Sequence, residues 1–583
     1  MNGRWDLSYI YKNCQDPAIA ADMEKLTALI EALRQAVAAD GDTVSRLEKM
    51  VDTFEEMSAV QYRLGAYCQL TLAVDAANND AARILDRVML LDNDAQLAVS
   101  DMIRAIGTAE GLEDAIAASE KLQKVAFALR EAQESVKHII PKELEPWVLE
   151  MSLSGGSAFS QLRDKLDANH TASYRGESLP LSAVRGLAYD PYASVRKDAY
   201  EAEIASYSKM EVPMSYCLNS IKQEARTLAK LKGYDSVLAM TLDESRMDKE
   251  TLDAMWGAIR EYLPHFRRYL KAKAKYLGHE NGLPFYDLFA PVGESTKVYS
   301  IEEAQEKLQQ VFGAFSPEMA AFMDHAFKAD WIDLYPREGK AGGAFCESMP
   351  EYDRSVVMTN FQGSFSDIST LAHELGHAWH NRCLAGLPFL LLDTPMPLAE
   401  TASIFNETVL SHQALKDCSP EEELTLIESG LMEATQTVVD IYSRFLFEQK
   451  VIDTRADHAM SVDELKAAML EAQEQSYGDG LDADIRHPYM WACKSHYYSS
   501  GLNFYNFPYA FGLLFGKGVF ARYLEQGDSF IPEYCKLLRM CGSDTVANVA
   551  ASVGIDVHDI NFWRSSLEVI RQDIDRFCQL CEK

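Results

Sequence analysis

Residues 373–377 read His373-Glu374-Leu375-Gly376-His377, two histidines four positions apart with a glutamate directly after the first. Four residues of α-helix turn slightly more than one revolution and rise about 6 Å, so both imidazoles leave one face and can converge on a single metal ion. Glu374 then stands beside the open coordination position, where it can take a proton from water. A pattern this short also arises by chance, so its surroundings decide its meaning.

The flanks predict a helix. Ser366 or Asp367 supplies an N-cap, Ile368, Leu371, Ala372 and Leu375 follow at helical spacing, and Gly386 followed by Pro388 closes the element. Two histidines need a third protein ligand if the metal is to be held while one position stays open for water. The stretch Pro395-Met396-Pro397-Leu398-Ala399-Glu400-Thr401-Ala402-Ser403 reads as the start of a second helix, with Glu400 in its first turn. Small residues around Glu400 allow close packing against the first helix. Glu400 is therefore the candidate third ligand; the competing reading is an acidic residue that favours a helix N-terminus. His380 lies about 10 Å along the axis from His373, too far to share an ion with both other histidines, and is expected to pack or to support the site from outside. Glu407 falls on the same helix face as Glu400 and either orients a ligand or is solvated.

Read together, Asp333-Leu334-Tyr335-Pro336-Arg337-Glu338-Gly339-Lys340, Gly343-Ala344-Phe345-Cys346, Thr370-Leu371-Ala372-His373-Glu374-Leu375-Gly376-His377 and Glu400 resemble the thimet oligopeptidase superfamily. The Gly-Ala-Phe-Cys wording, the chain length and the opening Trp5-Asp6-Leu7 with Tyr11-Lys12 are similar to its oligoendopeptidase F branch. The resemblance implies a mainly α, zincin-type (gluzincin) metallopeptidase with two helical lobes around a deep channel and a small β-sheet beside the zinc helix. It implies one Zn²⁺ held by His373, His377 and Glu400, with Glu374 as general base.

Residues 343 to 347 and 355 to 359 read as short strands around the turn-like Met349-Pro350-Glu351-Tyr352-Asp353. By the resemblance, an edge strand near Gly342, Gly343, Ala344 and Phe345 binds peptide backbone, missing side chains letting a substrate approach; a plain structural hairpin is the alternative. The family also carries a histidine followed by tyrosines in its C-terminal region. His496, Tyr505 and Tyr509 match it, as donors to the oxyanion of the tetrahedral intermediate, or else as ordinary aromatic core. The spacing from His496 to Tyr505 departs from one common in relatives, and a third tyrosine is replaced near Gly512.

Composition narrows the partners. A net charge of −32 argues against nucleic acid and anionic membrane surfaces. The N-terminus lacks an apolar signal core, and no run approaches the length of a membrane span. Eleven cysteines, scattered and paired in spacing only at Cys578 and Cys581, are expected as reduced thiols of a cytoplasmic protein. Leu/Ala/Met/Glu-rich stretches such as Val44 to Leu72 and Ala81 to Ile106 predict helical hairpins, and a break rich in Gly, Pro and aromatics at Gly278 to Pro291 precedes helix resuming at Ile301. An N-terminal helical region over 1–190 and a catalytic region over 191–583 are expected.

The expected activity is zinc-dependent hydrolysis of internal bonds in short unstructured peptides. Alternatives are a zinc carboxypeptidase of related fold, in which Arg337, Lys340, Arg354 or Arg382 would hold a terminal carboxylate, and a non-catalytic peptide-binding protein. Oligomeric state is not readable from the chain.

Overall fold

The structure is a computed structural model that describes residues 3–293, 297–416 and 418–582. Helix dominates, as the periodicity predicts. The N-terminal stretch folds into long helices Pro17–Ala38, Thr43–Val74 and Asn79–Gly107, each with an aspartate or asparagine N-cap whose side chain accepts a backbone N–H. Their apolar stripes form one core, from Trp5 to Ala132. A second, larger core runs from Leu181 to Phe577 and includes the buried face of the motif helix. The two cores define two helical lobes.

Two small sheets interrupt the helices. A hairpin pairs β1 (Thr171–Tyr174) with β2 (Glu177–Pro180). The second sheet has strand order β3-β5-β4, from β3 (Ile332–Asp333), β4 (Phe345–Met349) and β5 (Arg354–Met358). β5 runs parallel to β3 and antiparallel to β4, with Phe345 opposite Met358. Met349, Val356 and Met358 join the N-terminal core while Val357 joins the other, so the sheet is wedged between the lobes.

The strands sit slightly differently from expectation. β4 starts at Phe345 rather than at residue 343, and β5 spans 354–358 rather than 355–359. Gly343 has φ +79, outside the extended region, and the Asn360 amide ties down the carbonyls of Ala341 and Gly343 at 3.0 and 2.9 Å. Gly342, Gly343 and Ala344 therefore form a bend leading into the strand.

A buried charge cluster holds this bend in place. Lys340, whose side chain is wholly buried, pairs with Asp333 at 2.7 Å and also donates to the carbonyls of Asp333, Tyr335 and Thr359. Arg337 binds both oxygens of Asp333, at 2.6 and 2.9 Å. Lys340→Met removes one cation from a buried carboxylate. It should cost about 3 kcal/mol in urea denaturation, the low end for a broken buried pair because Arg337 remains.

Candidate metal centre

The motif helix spans Phe365–Leu384. Its N-cap is Ser364, not Ser366 or Asp367: the Ser364 hydroxyl accepts from Asp367 N, and Asp367 returns a bond to the Ser364 N–H. Asp367 is thus the third helical residue of a capping box. Met396–Ala399 forms a single helical turn, Glu400 breaks it with φ −90° and ψ 4°, and the next helix runs Thr401–Ala414. Glu400 sits at this junction rather than inside a first turn.

The two helices pack closely because Gly376 carries no side chain. A Cβ there would lie 2.6 Å from the Ala402 carbonyl oxygen and 2.7 Å from Ser403 Cα. The Asn406 amide clamps the pair by donating to the Ala372 carbonyl at 3.0 Å. The helix Phe507–Gln526 closes from another side, where a Cβ at Gly512 would stand 3.0 Å from Glu400 Cβ.

This packing gathers three ligand atoms. His373 Nε2 and His377 Nε2 are 3.2 Å apart, and Glu400 Oε2 lies 3.3 Å from each. A tetrahedral zinc with ligands at about 2.0–2.1 Å spaces them about 3.3 Å from one another, so the triangle has the dimensions of one zinc face. Among the described residues these three form the group of metal-binding type.

The electrostatics favour a cation there. Burial disfavours the imidazolium of His373, but the carboxylates of Glu400 and Glu407 outweigh it and lift the ring to about 11. Burial likewise opposes the charged form of Glu400, yet the two imidazoles hold its carboxyl well below the usual carboxylate range. Positive charge is strongly attracted to the point the ligands share.

Supporting groups fix the ligands. Glu407 accepts from His373 Nδ1 at 2.8 Å, leaving Nε2 to the metal position. The Ser403 hydroxyl reaches Glu400 Oε2 at 2.7 Å. Sequence reading offered Glu407 only as one of two alternatives and missed Ser403, although its i+3 spacing from Glu400 was a usable signal. His380 is buried, bonded through Nε2 to the Leu538 carbonyl at 3.1 Å and away from the metal position.

Glu374 is buried on the motif helix, and burial raises its carboxyl above the ordinary value. β4 lies at the edge of its sheet and packs on this helix; among the described residues no strand pairs with its outer side. Of the four residues read as a peptide-binding edge, Phe345 lies in β4 and Gly342, Gly343 and Ala344 precede it.

The aromatic residues cluster as a unit. His496 stacks on Tyr505 with ring centres 5.3 Å apart, and Tyr509 lies edge-on to both at 6.3 and 5.6 Å. Burial, a hydrogen bond with Tyr505 and the charge of Glu400 all raise the Tyr509 phenol. Burial and the cations Arg444 and Lys494 push His496 down to about 4, and its Nδ1 is buried without a hydrogen-bond partner. The segment is anchored from beneath: buried Lys222 pairs with Glu448 at 2.6 Å and donates to Asn503, and Arg444 donates to Asn506. Arg444 carried no sequence signal for this role, because its proximity to His496 is tertiary, whereas Lys494 stands only two residues before His496 and was a usable signal.

Residues 186–569 match peptidase family M3. The chain belongs to this family. An oligoendopeptidase F homolog of Lactococcus lactis subsp. lactis is 26% identical over 393 residues, which cover 67% of this chain. The match spans 64% of that relative, just under two thirds of its length. A solved chain from Chlamydophila abortus superposes with a TM-score of 0.86 at 21% identity, covering 99% of this chain and 98% of its own. The oligoendopeptidase-F structure from Enterococcus faecium does so with a TM-score of 0.72 at 19% identity, covering 96% and 98%. The superpositions establish the shared helical fold, and the resemblance to the oligoendopeptidase F branch is borne out.

If Glu407 orients His373, Glu407→Gln should weaken zinc binding by about 10- to 100-fold in a chelator competition assay, with the melting temperature little changed. Unaltered zinc affinity would leave Glu407 a bystander.

Proposed function

We propose that this chain is a zinc-dependent oligoendopeptidase, hydrolysing internal bonds of short unstructured peptides. The observation that carries the proposal is the placement of Glu374, a buried carboxylate with no hydrogen bond or ion pair among the described residues, beside a triangle of two imidazoles and a carboxylate with zinc dimensions.

His373, His377 and Glu400 would hold the ion. Zinc bound there supplies Lewis acidity and a water of lowered pKa. Glu374 takes a proton from the attacking water and later delivers it to the nitrogen of the leaving amine; a carboxyl raised by burial is better matched to both transfers. His496, neutral at physiological pH, donates with Tyr505 and Tyr509 toward the oxyanion of the tetrahedral carbon. The edge of β4 at Phe345 aligns the peptide backbone, and the bend at Gly342, Gly343 and Ala344 leaves room for it. A site lodged between two lobes admits flexible peptides and excludes folded proteins.

The carboxypeptidase alternative lacks a free cation among its candidates. Arg337 and Lys340 are engaged by Asp333, Arg382 by both oxygens of Asp353, and Arg354 donates to the Ala329 carbonyl with its guanidinium over Tyr9 and Trp331. A non-catalytic peptide binder would have no use for Glu374. A cytoplasmic location is consistent with the eleven scattered cysteines, and among the described residues no helix is long and apolar enough to cross a membrane.

Glu374→Gln should keep zinc but lower peptide turnover by about 10²- to 10⁴-fold. Unchanged turnover would end the catalytic assignment. Amidating the C-terminus of a test peptide should leave internal cleavage intact, as followed by mass spectrometry; loss of cleavage on amidation would favour the carboxypeptidase.

A further inference from the structure

The faces of the two site helices that carry His373, His377, Glu400 and Glu407 continue beyond the metal position toward the start of the motif helix. There Ser366, Ser369 and Ser411 border a cavity of about 370 Å³, within the range of built ligand sites. Its far wall comes from the helices Pro420–Ala434, Phe507–Gln526 and Ile560–Cys581.

The lining has two characters. Ile404, Leu431, Leu513 and Ile570 make an apolar sleeve, while Glu433, Lys517 and Asp573 project charge into the cavity. Glu433 lines the cavity with its side chain exposed to it. None of these three ionisable groups makes a hydrogen bond or an ion pair with a described residue. The surrounding protein and the charge of Glu407 push the Glu433 carboxyl up against the opposing pull of Lys517 and His373, and burial pushes Asp573 up against that of Lys517. Within the lining, the unpaired carboxylates of Glu433 and Asp573 thus outnumber the ammonium of Lys517, which leaves room for a further cation between them. At the mouth, Lys297 and Lys307 lie over the rings of Tyr299 and Phe365 and face Glu422, so they do not supply it.

An occupant that is aliphatic along its length and cationic at its tip fits this lining. We infer that the cavity is a subsite for a lysine or arginine side chain of the peptide substrate, its stem against Ile404, Leu431, Leu513 and Ile570 and its cation between Glu433 and Asp573. The inference rests on the peptidase reading above and adds a substrate preference to it. Ser369 and Ser366 stand about 6 and 10 Å along the helix from His373, and extended peptide advances about 3.3 Å per residue. The basic residue therefore lies about two or three positions from the cleaved bond.

The test uses acetylated, amidated octapeptides in which lysine or norleucine is placed at each position in turn. Their binding to zinc-loaded Glu374→Gln protein is followed by fluorescence anisotropy, alongside turnover by the unaltered enzyme. One position should favour lysine over norleucine by about tenfold in Kd. In the same background, Glu433→Gln with Asp573→Asn should bring that ratio close to one, whereas Lys517→Met, which removes the competing ammonium, should increase it. Gly430 lines the cavity and a Cβ there meets nothing within 4 Å, so Gly430→Leu should fill the space and weaken binding of the lysine peptide. Absence of any lysine-preferring position, or a preference that survives the double replacement, overturns the subsite. Peptide turnover with no such preference overturns the subsite alone. A charge-dependent preference without turnover by the unaltered enzyme overturns the peptidase reading and leaves the subsite standing.

Discussion

Gly376 sits where the motif helix meets the start of the next one, and the backbone of Ala402 and Ser403 occupies the space a side chain would need. The centre depends on that contact. Protein interiors are packed tightly enough that even one methyl group must be accommodated by movement of its neighbours. Separating these helices by an ångström would open the distances from Glu400 to the two histidines. The same contact places Glu407 one helical turn further along against His373, and Gly512 lets a third helix close over Glu400. A glycine inside the H-E-x-x-H run thus governs the spacing of ligands that lie outside it.

Charge is arranged around this contact with some economy. Glu374, Glu400 and Glu407 surround two imidazoles, so the point between the ligands is electronegative before any ion arrives. Binding a cation there relieves carboxylates whose burial would otherwise be costly. Burial together with Arg444 and Lys494 does the opposite for His496, disfavouring a charged ring. The chain is strongly acidic overall, yet its buried ion pairs, such as Lys222 with Glu448 and Lys340 with Asp333, are placed where loops must be pinned near the site.

Much of this was legible in the amino-acid order, for identifiable reasons. The stretch Val44 to Leu72 is one helix, Thr43–Val74, and helix resumes at Ile301, because apolar periodicity and capping residues act locally. The two histidines converge because their spacing matches the helical repeat. Local signals failed where two readings shared the same residues. Ser364, Ser366 and Asp367 all suit a cap, and only the reciprocal bonds between Ser364 and Asp367 decide among them. Glu400 reads as first-turn acid, but the helix breaks there, at the point where Gly376 and Gly512 let the neighbouring helices pack closely. The strand beginning at Phe345 is delayed by the positive φ of Gly343, which a glycine permits but does not announce. The charged cavity was beyond reach, since Ser366, Glu433, Lys517 and Asp573 come together only in the folded chain.

The central claim is that one ion sits at the vertex defined by His373, His377 and Glu400. The most direct measurement is crystallographic: anomalous diffraction from zinc-grown crystals collected on either side of the zinc absorption edge. One strong anomalous peak is expected within about 2.0–2.2 Å of His373 Nε2, His377 Nε2 and a Glu400 carboxylate oxygen. A peak elsewhere, or zinc bound with Glu400 turned away from it, would contradict the account.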